Sequence, residues 1–341
     1  MNDERIRLYG WMTITLVVLG VTALLSALVS GFLVTVIGVV VYGFTFQPSE
    51  LPRVSALLPI ACIAAVGVLA VLVWSERSAP DHAVRSIGAS PAAETDHSEL
   101  IGTVRRVAQQ VGVPMPEVYV APASEPFSLT TGFRLRTARL VVSEGALSLL
   151  ERAELEAVVA HEIAHVANRD AAVMTAVSLP ISAAGRVFRL FSGSNTGVEH
   201  GQPSRAGPMD LLVVVGLTQA LPVWIVAICC WAALARSREF AADSGAVAIT
   251  GDLAALATAL EKIDTTLSEK PSTDLRNAEL SALAIVEAPR ERADIGGVPL
   301  PVPMRRFRRL VATHPSTERR LERLRRTAAS GAPRYDVANE D

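Results

Sequence analysis

Residues 161–165 have the sequence His-Glu-Ile-Ala-His, with two histidines four positions apart around a glutamate. Four residues are close to one turn of an α-helix, so in a helix both imidazoles project from the same face. Imidazoles at this spacing suit a tetrahedral zinc ion. Glu162 would stand beside the metal without binding it, where it can take a proton from a zinc-activated water. The pattern therefore predicts a zinc site with its own general base.

The residues around this pattern predict one helix from Ser148 to Ala167. Apolar side chains recur at a helical spacing, and three glutamates in the first turns favour the positive end of the helix dipole. The apolar positions are Leu155, Val159, Ile163 and Val166, and the glutamates are Glu151, Glu154 and Glu156. The alternative is a surface helix whose two histidines bind nothing.

A catalytic zinc needs a third protein ligand and an open position for water. The extended pattern with a glycine and a third histidine is absent, because Asn168 and Ala171 stand at those positions, which excludes the metzincin class. Any thiolate site is also excluded, since the three cysteines all lie in apolar stretches. The remaining candidates lie further along the chain: Glu199, His200, Asp210 and Glu239.

Glu239 and Asp243 are four residues apart, so in a helix both face the same side. One of them could bind the metal while the other hydrogen-bonds a ligand histidine or an arginine. The alternative is an exposed charged turn after an apolar helix, with Arg236 and Arg238 as interfacial anchors.

Half of the 341 residues are hydrophobic, which is unusually apolar for a soluble enzyme. Residues 11–46 carry no charge, and residues 56–74 and 211–235 form further apolar runs. Each is long enough to cross a hydrocarbon core about 30 Å thick. Residues 171–190 are a weaker candidate because Arg186 and Arg189 interrupt them. If Glu239 shares a metal with His161, the chain between them crosses the membrane an even number of times, so the weaker segment should cross as well.

The polar stretches between these runs predict short strands and helices. Helices are expected at 97–111, 236–247, 253–263 and from Ser316 onward, strands at 117–121 and 139–143, a turn region between those strands, and a loop at 268–304. The net charge of −2 gives no reason to expect a nucleic-acid partner.

Four motifs in this order resemble peptidase family M48, and among its members the HtpX-like membrane proteases. They are Pro114-Met-Pro-Glu-Val-Tyr-Val, His161-Glu-Ile-Ala-His-Val-Ala-Asn-Arg-Asp170, Ser237-Arg-Glu-Phe-Ala-Ala-Asp243 and Thr313-His-Pro-Ser-Thr-Glu-Arg319. The resemblance covers roughly residues 95–326. It implies His161, His165 and Glu239 as ligands of one Zn²⁺ per chain, with Glu162 as the general base.

The resemblance also implies a mainly α membrane protein, in which transmembrane helices accompany a zincin-like α+β catalytic domain with a small hairpin or sheet. We expect a transmembrane hairpin at 1–75, catalytic parts at 76–170 and 236–330, a second membrane or peripheral hairpin at 171–235, and a disordered tail at 331–341. The implied activity is endoproteolysis of membrane or misfolded proteins, as quality control, by a multi-pass protein of the cell membrane whose catalytic domain faces the cytoplasm.

Further side chains are expected around the metal. His314 is a candidate oxyanion donor, and Arg319 a candidate donor or partner of Asp243, although both also fit a simple helix start at Pro315. Asn168 is expected near the ligands.

For substrate binding, the family pattern Asn-Ala-Phe-x-x-Gly corresponds to Phe127–Gly132, so Phe127 replaces the asparagine. We expect Phe127 and Gly132 to lie beside substrate, and the strand containing Val141 to offer a free edge to an extended peptide.

Two other classes of function remain open. One is a zinc-binding membrane scaffold without turnover, although Glu162, whose loss would define it, is present. The other is a transporter or channel, which is disfavoured because the apolar runs carry almost no ionisable groups.

Overall fold

A four-stranded sheet and the helix that carries the two histidines form the centre of the fold. The structure is a computed structural model, and it describes residues 9–22, 74, 79–132, 134–170, 173–174, 208–269, 294–295, 298–299 and 315–329. The architecture is mixed α+β with a small sheet, which confirms the α+β part of the predicted fold class.

In the described part of the chain the helices are α1 (Ala79–Ser86), α2 (Ser98–Val111), α3 (Glu144–Leu149), α4 (Arg152–Ala167), α5 (Pro208–Thr250), α6 (Leu253–Glu269) and α7 (Thr317–Ala329), and residues 9–22 are also helical. The strands are β1 (Ser90–Pro91), β2 (Glu117–Ala121), β3 (Ser128–Thr131), β4 (Arg139–Ser143), β5 (Asp294–Ile295) and β6 (Val298–Pro299), with a 3₁₀ turn at Leu135–Thr137.

The main sheet has the strand order β1-β2-β4-β3. β4 pairs in parallel with β2, placing Leu140 opposite Val118, and antiparallel with β3, placing Val141 opposite Leu129. The prediction that the 139–143 strand has a free edge is therefore wrong, because β4 has a neighbour on both sides. Among the described strands the edges of this sheet are β1 and β3, and β3 lies in the stretch predicted as a turn region.

Helix α4 begins later than predicted because α3 ends first, at Leu149, and Leu150 is extended. A capping box then starts α4, in which the backbone N–H of Glu151 donates to the carboxylate of Glu154 at 2.8 Å. Residues 157–166 of α4 are all buried, so it is not a surface helix.

The hydrophobic core surrounds α4 with the sheet on one side and helices on the other. Its most deeply buried members come from α2, β4, α4 and α6: Val104, Val107, Leu140, Val142, Val158, Ile163, Leu256 and Leu260. Because the histidine-bearing helix is packed on all sides, its side chains are held in fixed directions.

Helix α5 is one continuous helix of 43 residues. It joins the predicted apolar segment 211–235 to the predicted separate helix 236–247. Gly251, with φ of 71°, follows its last residue and donates its N–H to the carbonyl of Val247 at 2.8 Å. Asp252 then caps α6 by accepting a hydrogen bond from the N–H of Ala255.

Most of the other predicted membrane segments lie outside the described residues: 23–46 of the first run, 56–73 of the second, and nearly all of 171–190. Among the helices that are described, none combines the length and apolarity needed for a membrane crossing. The predicted tail at 331–341 and most of the 268–304 loop also lie outside, and β5 and β6 pair antiparallel within that loop.

Candidate metal centre

Three buried side chains from two helices converge on one point. The Nε2 atoms of His161 and His165, both on α4, are 3.1 Å apart. Glu239, on α5, has its Oε2 atom 3.6 Å from Nε2 of His161 and its Oε1 atom 3.6 Å from Nε2 of His165. Two ligands of a tetrahedral zinc ion at bond lengths of about 2.0–2.1 Å are roughly 3.3–3.5 Å from each other. The donor atoms therefore have the spacing that one zinc ion requires.

The other ring nitrogen of each histidine faces a buried aspartate. Nδ1 of His161 is 3.0 Å from Asp243, and Nδ1 of His165 is 2.7 Å from Asp170. A carboxylate next to Nδ1 favours the tautomer with its proton there, which leaves the Nε2 lone pair free for a metal. Two such lone pairs 3.1 Å apart repel each other unless a proton or a metal ion lies between them.

The site favours positive charge. Burial alone would lower the pKa of His161, but Asp243 and Glu239 outweigh it and raise this pKa to about 9. Burial alone would raise the pKa of Asp243, but Arg320 and His161 hold it below its usual value. The surroundings therefore favour an ionised Asp243 and positive charge at the His161 imidazole.

Arg320 is buried against these carboxylates. Its Nε donates to Asp243 Oδ2 at 2.9 Å, its Nη2 donates to Oδ1 at 2.5 Å, and its Nη1 lies 3.5 Å from Glu239. The partner of Asp243 is thus Arg320 rather than the Arg319 suggested from the sequence. Arg319 is exposed, because neighbouring residues on α7 point in directions about 100° apart.

Asp170 is a site residue that the sequence analysis missed. Arg169, just past the end of α4, has a φ of 57°, and this left-handed turn brings Asp170 back to His165. Arg238 lies behind it, with Nε 3.4 Å from the Asp170 carboxylate. The only signal in the sequence was an acidic residue shortly after the second histidine.

Glu162 is held by two hydroxyl groups that were also missed. Ser128 donates to Oε1 at 2.7 Å and Thr130 donates to Oε2 at 2.6 Å. Both come from β3, at alternate positions of the strand. Alternating hydroxyls at 128 and 130 were a usable signal, but only once this stretch is recognised as a strand.

Residues 94–328 match the model of peptidase family M48. The chain belongs to peptidase family M48. It is therefore a metallopeptidase, and M48 enzymes are in general zinc-dependent.

Several relatives that are named as HtpX proteases are similar to this chain over most of their length. "Protease HtpX homolog 2" of Methanosarcina mazei is 35% identical over 70% of this chain and 75% of its own. "Protease HtpX homolog" of Paenarthrobacter aurescens is 32% identical over 79% of this chain and 86% of its own. "Protease HtpX homolog 1" of Streptomyces coelicolor is 37% identical over 68% of this chain and 71% of its own. These matches confirm the HtpX-like resemblance.

A crystal structure of S. mikatae Ste24p aligns with a TM-score of 0.43 and 16% identity, covering 90% of this chain and 66% of that one. A similarity of this degree does not establish a shared fold.

In this M48 peptidase the residues expected to touch substrate are buried or shape a turn. The side chains of Phe127 and Val141 lie in the core, at 1% and 0% exposure. Gly132 has a φ of 120°, and a Cβ there would lie 2.4 Å from the carbonyl oxygen of Thr137. Its role in the structure is a tight turn before the 3₁₀ segment.

The remaining candidates are placed as follows. Asn168 is buried at the end of α4, where its backbone N–H donates to the carbonyl of Ala164. His314, Glu199 and His200 lie outside the described residues. Asp210 lies in the first turn of α5, many turns of the helix away from Glu239.

Proposed function

We propose that this chain is an integral-membrane zinc metalloendopeptidase that cleaves membrane or misfolded proteins as part of protein quality control. His161, His165 and Glu239 would hold one zinc ion per chain. The observation that carries this proposal is the convergence of two imidazoles and one carboxylate at the spacing of a zinc tetrahedron.

Zinc, when bound, supplies a Lewis acid that acidifies water and polarises a peptide carbonyl. Glu162 accepts the proton of the attacking water and delivers it to the leaving amine. Asp243 and Asp170 orient the two imidazoles, and Arg320 and Arg238 hold those aspartates in place.

His314 is proposed as the donor that stabilises negative charge on the carbonyl oxygen. It lies three residues before α7, and α7 delivers Arg320 to the site. The short connection supports a position near the reacting atoms.

Substrate is proposed to bind as an added strand along β3. Among the described residues β3 pairs only with β4, and an extended peptide would pair with backbone groups on its other side. Two side chains of the same strand donate to Glu162, which supports substrate binding next to the proposed base. Recognition of backbone rather than side chains fits the varied sequences of misfolded proteins.

A membrane location is supported by the apolar composition of the runs 11–46 and 56–74. The proposed catalytic parts, 76–170 and 236–330, would then meet on one side of the membrane, with 171–235 forming the second hairpin between them. We propose the cytoplasmic side.

The test uses full-length protein purified in detergent, assayed for zinc content and for chelator-sensitive cleavage of casein. Glu162→Gln should keep its zinc but lose activity by roughly 10²-fold or more, since the amide cannot accept the proton. Glu239→Ala should lose zinc and activity together.

Matched controls are Glu156→Gln, on the same helix as Glu162, and Glu261→Ala, exposed on α6. A Glu162→Gln protein with wild-type activity would sink the mechanism, and zinc binding without any turnover would favour a scaffold.

A further inference from the structure

The Glu162 carboxylate is buried and both of its oxygens accept a hydrogen bond from β3. Ser128 Oγ donates to Oε1 at 2.7 Å and Thr130 Oγ1 donates to Oε2 at 2.6 Å. Glu162 and Ser128 are each 1% exposed and Thr130 is 9% exposed. Each carboxylate oxygen of Glu162 is therefore held by a hydroxyl group of the same strand.

This pair of contacts fixes the direction of the carboxylate. One hydroxyl alone would allow the group to rotate about its terminal torsion, which has a broad energy minimum. Two hydroxyls from one rigid strand define the plane. Each carboxylate oxygen has two lone pairs, so both hydrogen bonds still leave acceptor positions for the proton of a water molecule.

We propose that Ser128 and Thr130 are positioning residues, which hold Glu162 in the orientation that accepts the proton. The proposal rests on the proposed function, in which Glu162 is the general base. It assigns to this strand a second task besides offering its edge to a peptide.

The two tasks use different parts of β3, so they can be separated by experiment. The hydroxyls project from one face of the strand towards α4, whereas an added peptide would pair with backbone groups at the strand edge. Removing a hydroxyl should therefore lower kcat and leave KM and zinc content near their wild-type values. A variant that disturbs packing in general would instead have a lower melting temperature and would change kcat, KM and zinc content together.

The experiment compares Thr130→Val, Thr130→Ser and Ser128→Ala in the full-length zinc-loaded protein with a fluorogenic peptide substrate. Thr130→Val removes the donor while keeping the shape, and kcat should fall roughly 10–100-fold, as expected when a reacting group is displaced by about 1 Å. Thr130→Ser keeps the donor and should keep most of kcat. Ser128→Ala should behave like Thr130→Val, and the double variant should lose more. The control is Thr103→Val, a buried threonine of α2 away from the site.

A measurement without turnover uses the melting temperature of the metal-free protein. Thr130→Val should lower it in the wild-type background and should lower it less when Glu162 is already alanine, because the hydrogen bond is then absent. Equal shifts in the two backgrounds would overturn the coupling between these residues.

Wild-type kcat in folded Thr130→Val and Ser128→Ala would overturn the proposal, as would a Thr130→Ser protein as slow as Thr130→Val. If Thr130→Val does not fold, Ser128→Ala decides by the same criteria. The proposed function fails in a different way: the wild-type protein itself would then show no chelator-sensitive cleavage.

Discussion

Each proposed ligand histidine has an aspartate at its Nδ1 and an arginine behind that aspartate. His161 faces Asp243 and Arg320, and His165 faces Asp170 and Arg238. The aspartate fixes the tautomer and the ring direction, so that both Nε2 lone pairs meet at one point. The arginine compensates the buried negative charge, which would otherwise be costly in the absence of metal.

Asp170→Asn and Asp243→Asn are each expected to weaken zinc binding about 10–100-fold, because an amide no longer favours the required tautomer. Competition with a chromogenic chelator measures the effect. Asp264→Asn, on α6 away from the metal centre, is the matched control. Wild-type affinity in the Asp170 variant would show that the contact with His165 does not orient the ring.

Sequence alone could identify the zinc pattern because its chemistry is local: two histidines and a glutamate within one turn of a helix. Glu239 and Asp243 followed from the same spacing rule, with the choice of ligand coming from the family resemblance. Asp170, Arg320, Ser128 and Thr130 did not follow, since their positions depend on a left-handed turn, on the rotation of α7 and on a strand pairing. These are tertiary features that residue spacing does not encode.

At the scale of elements, three helices assemble the metal centre. Helix α4 supplies the histidines, α5 supplies Glu239, Asp243 and Arg238, and α7 closes the arrangement with Arg320. Because α7 follows α6 by a long connection, its docking is not imposed by local structure. The buried ion pair of Arg320 and Asp243, which has two hydrogen bonds, is therefore a specific contact that fixes α7 against α5.

Arg320→Ala should remove the guanidinium group from two buried carboxylates and lower the free energy of unfolding by about 3–5 kcal/mol, as for a broken buried ion pair. The loss in melting temperature should be larger for the metal-free protein than for the zinc-loaded one, because zinc supplies compensating positive charge. Arg319→Ala, which changes the exposed neighbour, should melt like the wild type. Equal losses with and without zinc would contradict this electrostatic role for Arg320.

His314→Ala should leave zinc content unchanged and lower kcat by about 10²-fold, the usual effect of losing an oxyanion donor. Metal analysis and steady-state kinetics on the same preparation test this. Loss of zinc from the variant would make His314 a ligand or a cap for α7, and another donor would then be needed.

Most elements were predictable because their patterns are local, including α2, β2, β4 and α6. The wrong predictions concern elements whose structure depends on tertiary contacts rather than on local sequence. The stretch 122–132 contains prolines and a glycine, yet its middle pairs with β4 as β3. The 139–143 strand looks like any apolar strand, and only the pairing of its neighbours shows that it is internal. The composition changes from apolar to polar at residue 236, but no glycine or proline occurs between Pro222 and Gly245, and the helix continues through this change.

At the scale of the whole molecule, the proposed catalytic parts are separated in sequence by an apolar stretch but share one core. Ala242 and Ala246 of α5 pack in the same hydrophobic cluster as Val158 and Ile163 of α4. If residues 171–235 enter the membrane, they must leave it on the side from which they entered. The site is then on one face of the membrane for geometric reasons, whichever face that is.

We expect the full-length protein to remain in the membrane fraction after alkaline washing, and its catalytic parts to face the cytoplasm. Arginines flanking the apolar runs at Arg5, Arg7, Arg77, Arg236 and Arg238 favour this orientation. In inside-out vesicles, added protease should cut within the predicted 268–304 loop, whereas right-side-out vesicles should protect it until detergent is added. The control is a cytoplasmic loop of a membrane protein of known orientation in the same vesicles. Cleavage in right-side-out vesicles would reverse the proposed orientation, and release of the protein by alkaline washing would contradict the membrane proposal itself.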